Sequence, residues 1–214
     1  MCIHPYHHHR PIIPPPSLSP PPRPTPSGGR PNPIPGSRGH YREDAAAFVE
    51  WQVDYVKLDW CGDIKKQILK GAKAHRDFAA AMANATAAAA AASGKAPHPI
   101  FIEVVAGYFF LGSAVAEVAD AWRFCTDHHD AWANSQEQLA CRLDLVNTGA
   151  IGGETQGGWA SMDALMTGGA GCVPASKGPH CPGQTDDEYK TNFVLWALTQ
   201  SPMLVATDVR NLTR

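Results

Sequence analysis

The chain has 214 residues, which suffices for one domain with a hydrophobic core or for part of a larger domain. Its hydrophobic content of 44% and charged content of 18% are ordinary for a globular protein, and the net charge of -2 gives no sign of a nucleic-acid or membrane partner. No apolar run is long enough to cross a membrane, since even the alanine tract at 85–92 is too short.

Residues 1–35 form a proline-rich head that holds thirteen of the 19 prolines. Proline fixes φ and removes a backbone donor, so this head is predicted to be extended or disordered and not part of the fold, which then covers residues 36–214. His7-His8-His9 is interpreted as incidental, because no rigid scaffold converges the three rings on a metal. The head also lacks the continuous apolar segment of a signal peptide, so the compartment is unknown from the sequence.

From Gly36 onward, helix and strand patterns alternate along the chain. Helices are predicted over 42–52, 64–92, 112–121, 134–146 and 189–199, the last of them after a Thr185-x-x-Glu188 capping box. Strands are predicted over 54–61, 100–104 and 122–124, weakly over 161–166, and over 203–206. This alternation predicts an α/β fold with parallel strands.

Charged residues follow or interrupt these apolar strands. In the 54–61 strand, Lys57 and Asp59 share one face, and burying such a pair is costly unless it has a use. The alternative for this strand is an edge position with a solvated Lys/Asp face. Further charged groups lie at or near the C-terminal ends of the other predicted strands: Glu103, Arg123 to Asp127, Asp163 and Asp208. Parallel α/β folds keep their active sites at the carboxyl ends of strands, so the functional interpretation is favoured.

Several motifs in order resemble the α-galactosidases (melibiases) of glycoside hydrolase family 27. Tyr55-Val56-Lys57-Leu58-Asp59-Trp60-Cys61 resembles the family's nucleophile strand, and Trp122-Arg123 with Asp127 resembles its acid/base segment. Gly157-Gly158-Trp159 with Asp163 is similar to its seventh strand, although Ala160-Ser161-Met162 replaces the usual Asn-Asp-Pro. The resemblance implies a partial (β/α)8 TIM barrel that covers about strands four to eight.

The resemblance also implies a retaining hydrolase that removes terminal α-linked galactose from an oligosaccharide or glycoconjugate, without cofactor or metal. Asp59 would be the nucleophile and Asp127 the acid/base, a chemistry that requires two carboxyl groups about 5–5.5 Å apart. Four residues match positions that contact or lie near the sugar: Lys57, Glu103, Arg123 and Asp163. Members of this family are expected to be secreted or lysosomal/vacuolar.

Two other functions remain open. An α-N-acetylgalactosaminidase is the first, since the resemblance implies a preference for that sugar from Ala106 and for galactose from Glu103. An inactive fragment with at most weak sugar binding is the second, because the family's first strands are missing and the proline-rich head stands in their place. Five strands cannot close a barrel, and open edges would be exposed.

Asp127-His128-His129-Asp130 has a competing interpretation as a metal site. Adjacent histidines do not normally reach one ion, so both are interpreted as loop residues beside the acid/base.

The cysteines leave several pairings open. Cys172 and Cys181 bracket a Gly/Pro-rich loop and could form a short disulfide. Cys61 matches a family cysteine whose usual partner position is here Ile102, which leaves Cys61 free or paired with Cys125 or another cysteine.

Overall fold

The computed structural model describes residues 2–6, 36–59, 68–105, 111–147, 158–167 and 183–206. The chain divides into two compact units, Met1–Val105 and Ala106–Arg214. Strands pair within each unit.

In the described part of the first unit, two helices and three strands surround a small apolar core. In chain order these are β1 (Cys2–Tyr6), α1 (Tyr41–Glu50), β2 (Tyr55–Asp59), α2 (Ile68–Ser93) and β3 (Phe101–Val104). Strands β2 and β3 run parallel, with Lys57 opposite Glu103. Burial alternates along β2, as the strand period of two requires, and its inner face is the apolar one. The core is made by side chains from all four elements after β1: Ala45, Phe48, Val56, Leu58, Phe78, Met82, Ile102 and Val104.

Strand β1 corrects one expectation about the head. Cys2–Tyr6 pairs antiparallel with β2, with Cys2 opposite Asp59, so these five residues belong to a sheet. Backbone groups alone can make this pairing, because an open edge of β2 offers N–H and C=O groups to any extended segment, and proline is tolerated at such an edge. Residues 7–35 lie outside the described residues, and the boundary at residue 35 stays a prediction.

Where the structure describes the second unit, it consists of short strands and two longer helices. It contains a 3-10 helix (Gly112–Glu117), β4 (Ala121–Arg123), α3 (Trp132–Asn147), β5 (Trp159–Ser161) and α4 (Asp186–Leu198). Strands β4 and β5 run parallel, with Arg123 opposite Ser161. Gly158 precedes β5, where a Cβ would lie 2.3 Å from the Trp122 ring, so close packing requires glycine there.

Several predicted elements agree with the structure, and three differ from it. The capping box at Thr185 and Glu188 is confirmed at the start of α4. The predicted helix over 112–121 is a shorter 3-10 helix, and the strand predicted over 161–166 lies earlier, at Trp159–Ser161. Among the described residues, the predicted strand over 203–206 makes one bridge, between Leu165 and Val205. Within the described ranges, no helix is long and apolar enough to span a bilayer.

Candidate active site

One face of the β2–β3 sheet carries charged and aromatic side chains. Tyr55, Lys57 and Asp59 alternate with buried residues along β2, and all three are partly exposed. Tyr55 stacks on Phe101 of β3 with ring centroids 5.2 Å apart. The structure therefore brings the predicted residues Lys57 and Asp59 to one face, with Asp59 as the last residue of its strand.

Glu103 is the most deeply buried acid on this face. Its side chain lies beside Lys57 in the parallel register, and the residue is only 2% exposed. The Tyr55 hydroxyl donates a hydrogen bond to Glu103 Oε2. Glu103 Oε1 is buried and accepts no hydrogen bond from the described residues. A buried acceptor without a donor is costly, which marks Oε1 as a place where an outside donor would bind well.

In the second unit, Arg123 organises the segment that follows β4. Its side chain is 7% exposed, whereas that of Asp127 is 75% exposed. Arg123 Nη1 donates to Asp127 Oδ1 at 2.9 Å, and Nη2 donates to the Thr126 carbonyl at 2.6 Å. Arg123 Nη2 also lies 3.2 Å from Asp163 Oδ2. The predicted residues Arg123, Asp127 and Asp163 are thus brought together around one guanidinium.

Residues 124–130, here termed the Asp127 loop, are held by hydrogen bonds to their backbone. Gln138 Nε2 donates to the Thr126 carbonyl at 2.6 Å. Asn134 accepts from the His129 N–H at 2.6 Å and donates to the Asp127 carbonyl at 3.3 Å. Both partners lie on α3, so this helix fixes the course of the loop that presents Asp127.

His128 is a buried anchor of the Asp127 loop. Its Nδ1 lies 2.9 Å from the Ala164 carbonyl, which can only accept, so Nδ1 carries a proton. Nε2 lies 3.2 Å from Ser135 Oγ, and the ring packs against Trp196 at 4.5 Å. Burial lowers the pKa of His128 below its ordinary 6.5, although the Ala164 carbonyl and nearby Asp163 act in the opposite direction. A neutral imidazole is therefore the form that the fold accommodates.

Acid is expected to destabilise the chain through His128. Because its pKa is lower in the folded state, the unfolded chain binds the extra proton first as the pH falls below 6.5. The free energy of unfolding should then fall by up to about 1.4 kcal/mol per pH unit, until the folded-state pKa is reached. Urea denaturation between pH 7.5 and 5.5 would measure this, and His128→Gln should show a smaller pH dependence.

The neighbouring His129 supplies the control for this experiment. His129→Gln leaves the buried His128 ring in place and removes only a minor cause of its lowered pKa, so it should keep most of the pH dependence of the wild-type chain. Equal effects of the two substitutions would contradict the assignment to His128.

Asp130 joins the end of the Asp127 loop to the start of α4. Its Oδ1 accepts from the Tyr189 hydroxyl at 2.7 Å, and its Oδ2 accepts from the Gly183 N–H at 2.8 Å. Burial and the Asp130 carboxylate raise the pKa of Tyr189 to about 12. At Gly183 a Cβ would lie 1.8 Å from the Asp130 carbonyl oxygen, so no side chain fits there. We term Asp130, Gly183, Gln184 and Tyr189 the Asp130 network.

The cysteine pairing differs from one of the expected alternatives. Cys125 in the Asp127 loop forms a disulfide with Cys141 of α3. The predicted alternative of a Cys61–Cys125 disulfide is therefore wrong, since Cys125 is bonded to Cys141. Cys61 and the predicted pair Cys172–Cys181 lie outside the described residues. Among those that are described, no group of three His, Cys, Asp or Glu side chains is arranged to hold a metal ion.

Sequence reasoning missed the buried supports of the Asp127 loop. It interpreted His128 as a loop residue and did not single out Asn134, Gln138 or Tyr189. A signal was nevertheless present, because a histidine and an aspartate that flank a proposed catalytic acid need partners if the loop is buried. Only the three-dimensional structure identifies those partners on α3 and α4.

Comparison with known proteins relates this chain to alpha-galactosidases. A family model described as alpha galactosidase A (Melibiase_2) matches residues 30–214. An alpha-galactosidase from Cyamopsis tetragonoloba is 29% identical over 182 residues, which cover 83% of this chain and 36% of the relative. Alpha-galactosidase A from Cellvibrio japonicus is 28% identical over 191 residues, covering 84% and 39%. The chain therefore spans little more than a third of the length of these curated relatives.

Solved structures match over the same part of the chain. A GH27 β-L-arabinopyranosidase from Geobacillus stearothermophilus aligns with a TM-score of 0.61 and 20% identity, covering 83% of this chain and 38% of that one. A Bacteroides fragilis protein named as a candidate alpha-galactosidase/melibiase aligns with a TM-score of 0.65 and 24% identity, covering 84% and 36%. These likenesses confirm the predicted fold class, an α/β chain forming part of a (β/α)8 barrel.

Proposed function

Since this chain belongs to the alpha galactosidase A (Melibiase_2) family, we propose that it carries the catalytic groups of a retaining glycoside hydrolase that removes terminal α-linked galactose. The curated relatives that it resembles are alpha-galactosidases, and it covers little more than a third of their length. The proposal therefore concerns the chemistry of its own residues on an α-galactoside substrate.

The observation that carries this proposal is the buried carboxylate of Glu103. One of its oxygens is occupied by the Tyr55 hydroxyl, and the other is buried without a donor among the described residues. A sugar hydroxyl supplies such a donor, while the Lys57 ammonium in the neighbouring strand position supplies donors of its own. A cation and an open carboxylate beside the terminal Asp59 are suited to recognising hydroxyl groups next to a reacting carbon.

The mechanism assigns one task to each carboxylate. Asp59 would attack the anomeric carbon and form a glycosyl-enzyme while Asp127 protonates the departing oxygen. Asp127, then ionised, would take a proton from water, and that water would displace Asp59 and release galactose. Arg123, which bonds to Asp127 and to the Thr126 carbonyl, keeps Asp127 at the loop surface, where a leaving group can reach it.

Hydrolysis of 4-nitrophenyl α-galactoside by the purified chain tests the proposal. We expect nitrophenolate release above the uncatalysed rate, with α-galactose as the first anomer detected by proton NMR, because two displacements at one carbon retain configuration. The corresponding N-acetylgalactosaminide serves as the comparison substrate and should react more slowly, since the resemblance implies that a residue as large as Glu103 leaves no room for an acetamide. β-Galactose as the first product, or no release at all, would contradict the proposed function.

A further inference from the structure

Asp163 stands behind the Asp127 loop and contacts it at two points. Its Oδ2 accepts the His128 N–H at 3.0 Å and lies 3.2 Å from Arg123 Nη2. His128 follows Asp127 directly in the chain, and Arg123 bonds to the Asp127 carboxylate. The Asp163 side chain is only 11% exposed. One carboxylate oxygen thus restrains Asp127 both through its neighbour and through its ion-pair partner.

The backbone at Asp163 has an uncommon conformation, which directs the carboxylate towards the Asp127 loop. Its φ is +76°, a left-handed value that non-glycine residues seldom adopt but that Asp tolerates better than most. The Asp163 N–H donates to Ser161 Oγ at 3.2 Å, and its carbonyl accepts from Trp196 Nε1 at 2.7 Å. Strain of this kind persists only where the surroundings over-determine it, and it is common at functional sites.

We propose that Asp163 is a positioning residue for Asp127, acting through Arg123 and the His128 amide. This inference rests on the proposed function of Asp127 as the acid/base. It gives Asp163 a role besides its expected place near the substrate, because Oδ2 serves two protein donors, the His128 N–H and Arg123 Nη2. With a misplaced Asp127, proton transfer slows while ground-state binding of the sugar persists.

The kinetic test uses Asp163→Asn, since Asn tolerates the same backbone conformation and keeps an acceptor. We expect kcat on an α-galactoside with a poor leaving group to fall by roughly 10- to 100-fold, a part of the about 10²- to 10⁴-fold that general acid–base catalysis typically contributes, with little change in KM. With a good leaving group, whose departure needs little protonation, kcat/KM should fall much less. A raised KM with an unchanged kcat, or equal losses of kcat/KM for the two leaving groups, would overturn the proposal.

Thr185→Ala is the matched structural control. It removes the side-chain cap of α4 and none of the hydrogen bonds described above for Arg123, Asp127 and Asp163. It should lower the melting temperature while leaving kcat and KM for both substrates unchanged. A loss of kcat in Thr185→Ala equal to that in Asp163→Asn would also count against a specific role of Asp163.

Hydrogen exchange separates this inference from the proposed function. If the wild-type chain hydrolyses no α-galactoside, the proposed function fails, but amide exchange within the Asp127 loop still reports on Asp163. Asp163→Ala removes the acceptor of the His128 N–H, so exchange at His128 should accelerate about tenfold or more while α4 stays protected. Unchanged exchange at His128 in both Asp163→Ala and Asp163→Asn would show that Asp163 does not position the loop.

Discussion

Replacing Asp59 by Asn is expected to lower kcat on an aryl α-galactoside by a factor on the order of 10⁴, because an amide of the same shape cannot form the glycosyl-enzyme. Asp59 ends β2 on the face that carries Lys57 and Tyr55, and β2 remains intact in the variant because the substitution preserves volume. Steady-state release of nitrophenolate measures the effect. Asp54→Asn is the matched control, since Asp54 stands just before the same strand and pairs with His98 at 3.1 Å. Its kcat should stay close to that of the wild-type chain.

Azide separates the roles of the two carboxylates. In Asp59→Ala, azide can attack the anomeric carbon from the side that the carboxylate occupied, the bond to the aryloxide breaks, and β-galactosyl azide forms. In Asp127→Ala, a good leaving group still departs as Asp59 attacks, and azide then displaces Asp59 to give α-galactosyl azide. The same azide anomer from both variants would contradict the assignment of nucleophile and acid/base.

Arg123→Met is expected to destabilise the chain by about 3–5 kcal/mol, because it leaves the buried Asp163 carboxylate without its cation. The Arg123 side chain is buried, and its guanidinium also bonds to the Thr126 carbonyl and to Asp127. Chemical denaturation followed by tryptophan fluorescence measures the loss. The exposed Lys190–Asp187 pair supplies the control, and Lys190→Met should change the free energy of unfolding very little.

A second substitution shows whether the uncompensated carboxylate causes the loss. The double variant Arg123→Met/Asp163→Asn removes the cation and the anion together, so it should be more stable than Arg123→Met alone. A double variant that is less stable than both single variants would show that the loss comes from packing and not from charge.

Local patterns in the sequence were enough to predict most elements of both units. The nucleophile strand, the alanine-rich helix α2 and the capped helix α4 rest on periodicity, helix propensity and capping, all of which act within a few residues. Strand β1 could not be predicted in this way, because Cys2–Tyr6 pairs through its backbone with a strand about fifty residues away. The strand predicted at 203–206 was overestimated for a related reason, since pairing depends on a partner that local propensity does not describe.

In the candidate site, too, residues within one segment could be predicted from the sequence, whereas contacts between distant segments could not. Lys57, Asp59, Arg123 and Asp127 follow from alternation and from motifs within single segments. The role of Asp163 does not, because its contacts to Arg123 and His128 join residues 35 to 40 positions apart. The Cys125–Cys141 disulfide was missed for the same reason, as six cysteines allow many pairings that sequence alone does not rank.

The Asp130 network has a consequence for how this part of the chain can diverge. The Gly183 N–H donates a hydrogen bond to the Asp130 carboxylate, and a side chain at Gly183 would have no room. Helix α4 begins three residues later. A substitution at either position therefore removes a contact that the other position depends on. Changes at Gly183 and Asp130 are expected to be inherited together, although 53 positions separate the two residues in the chain.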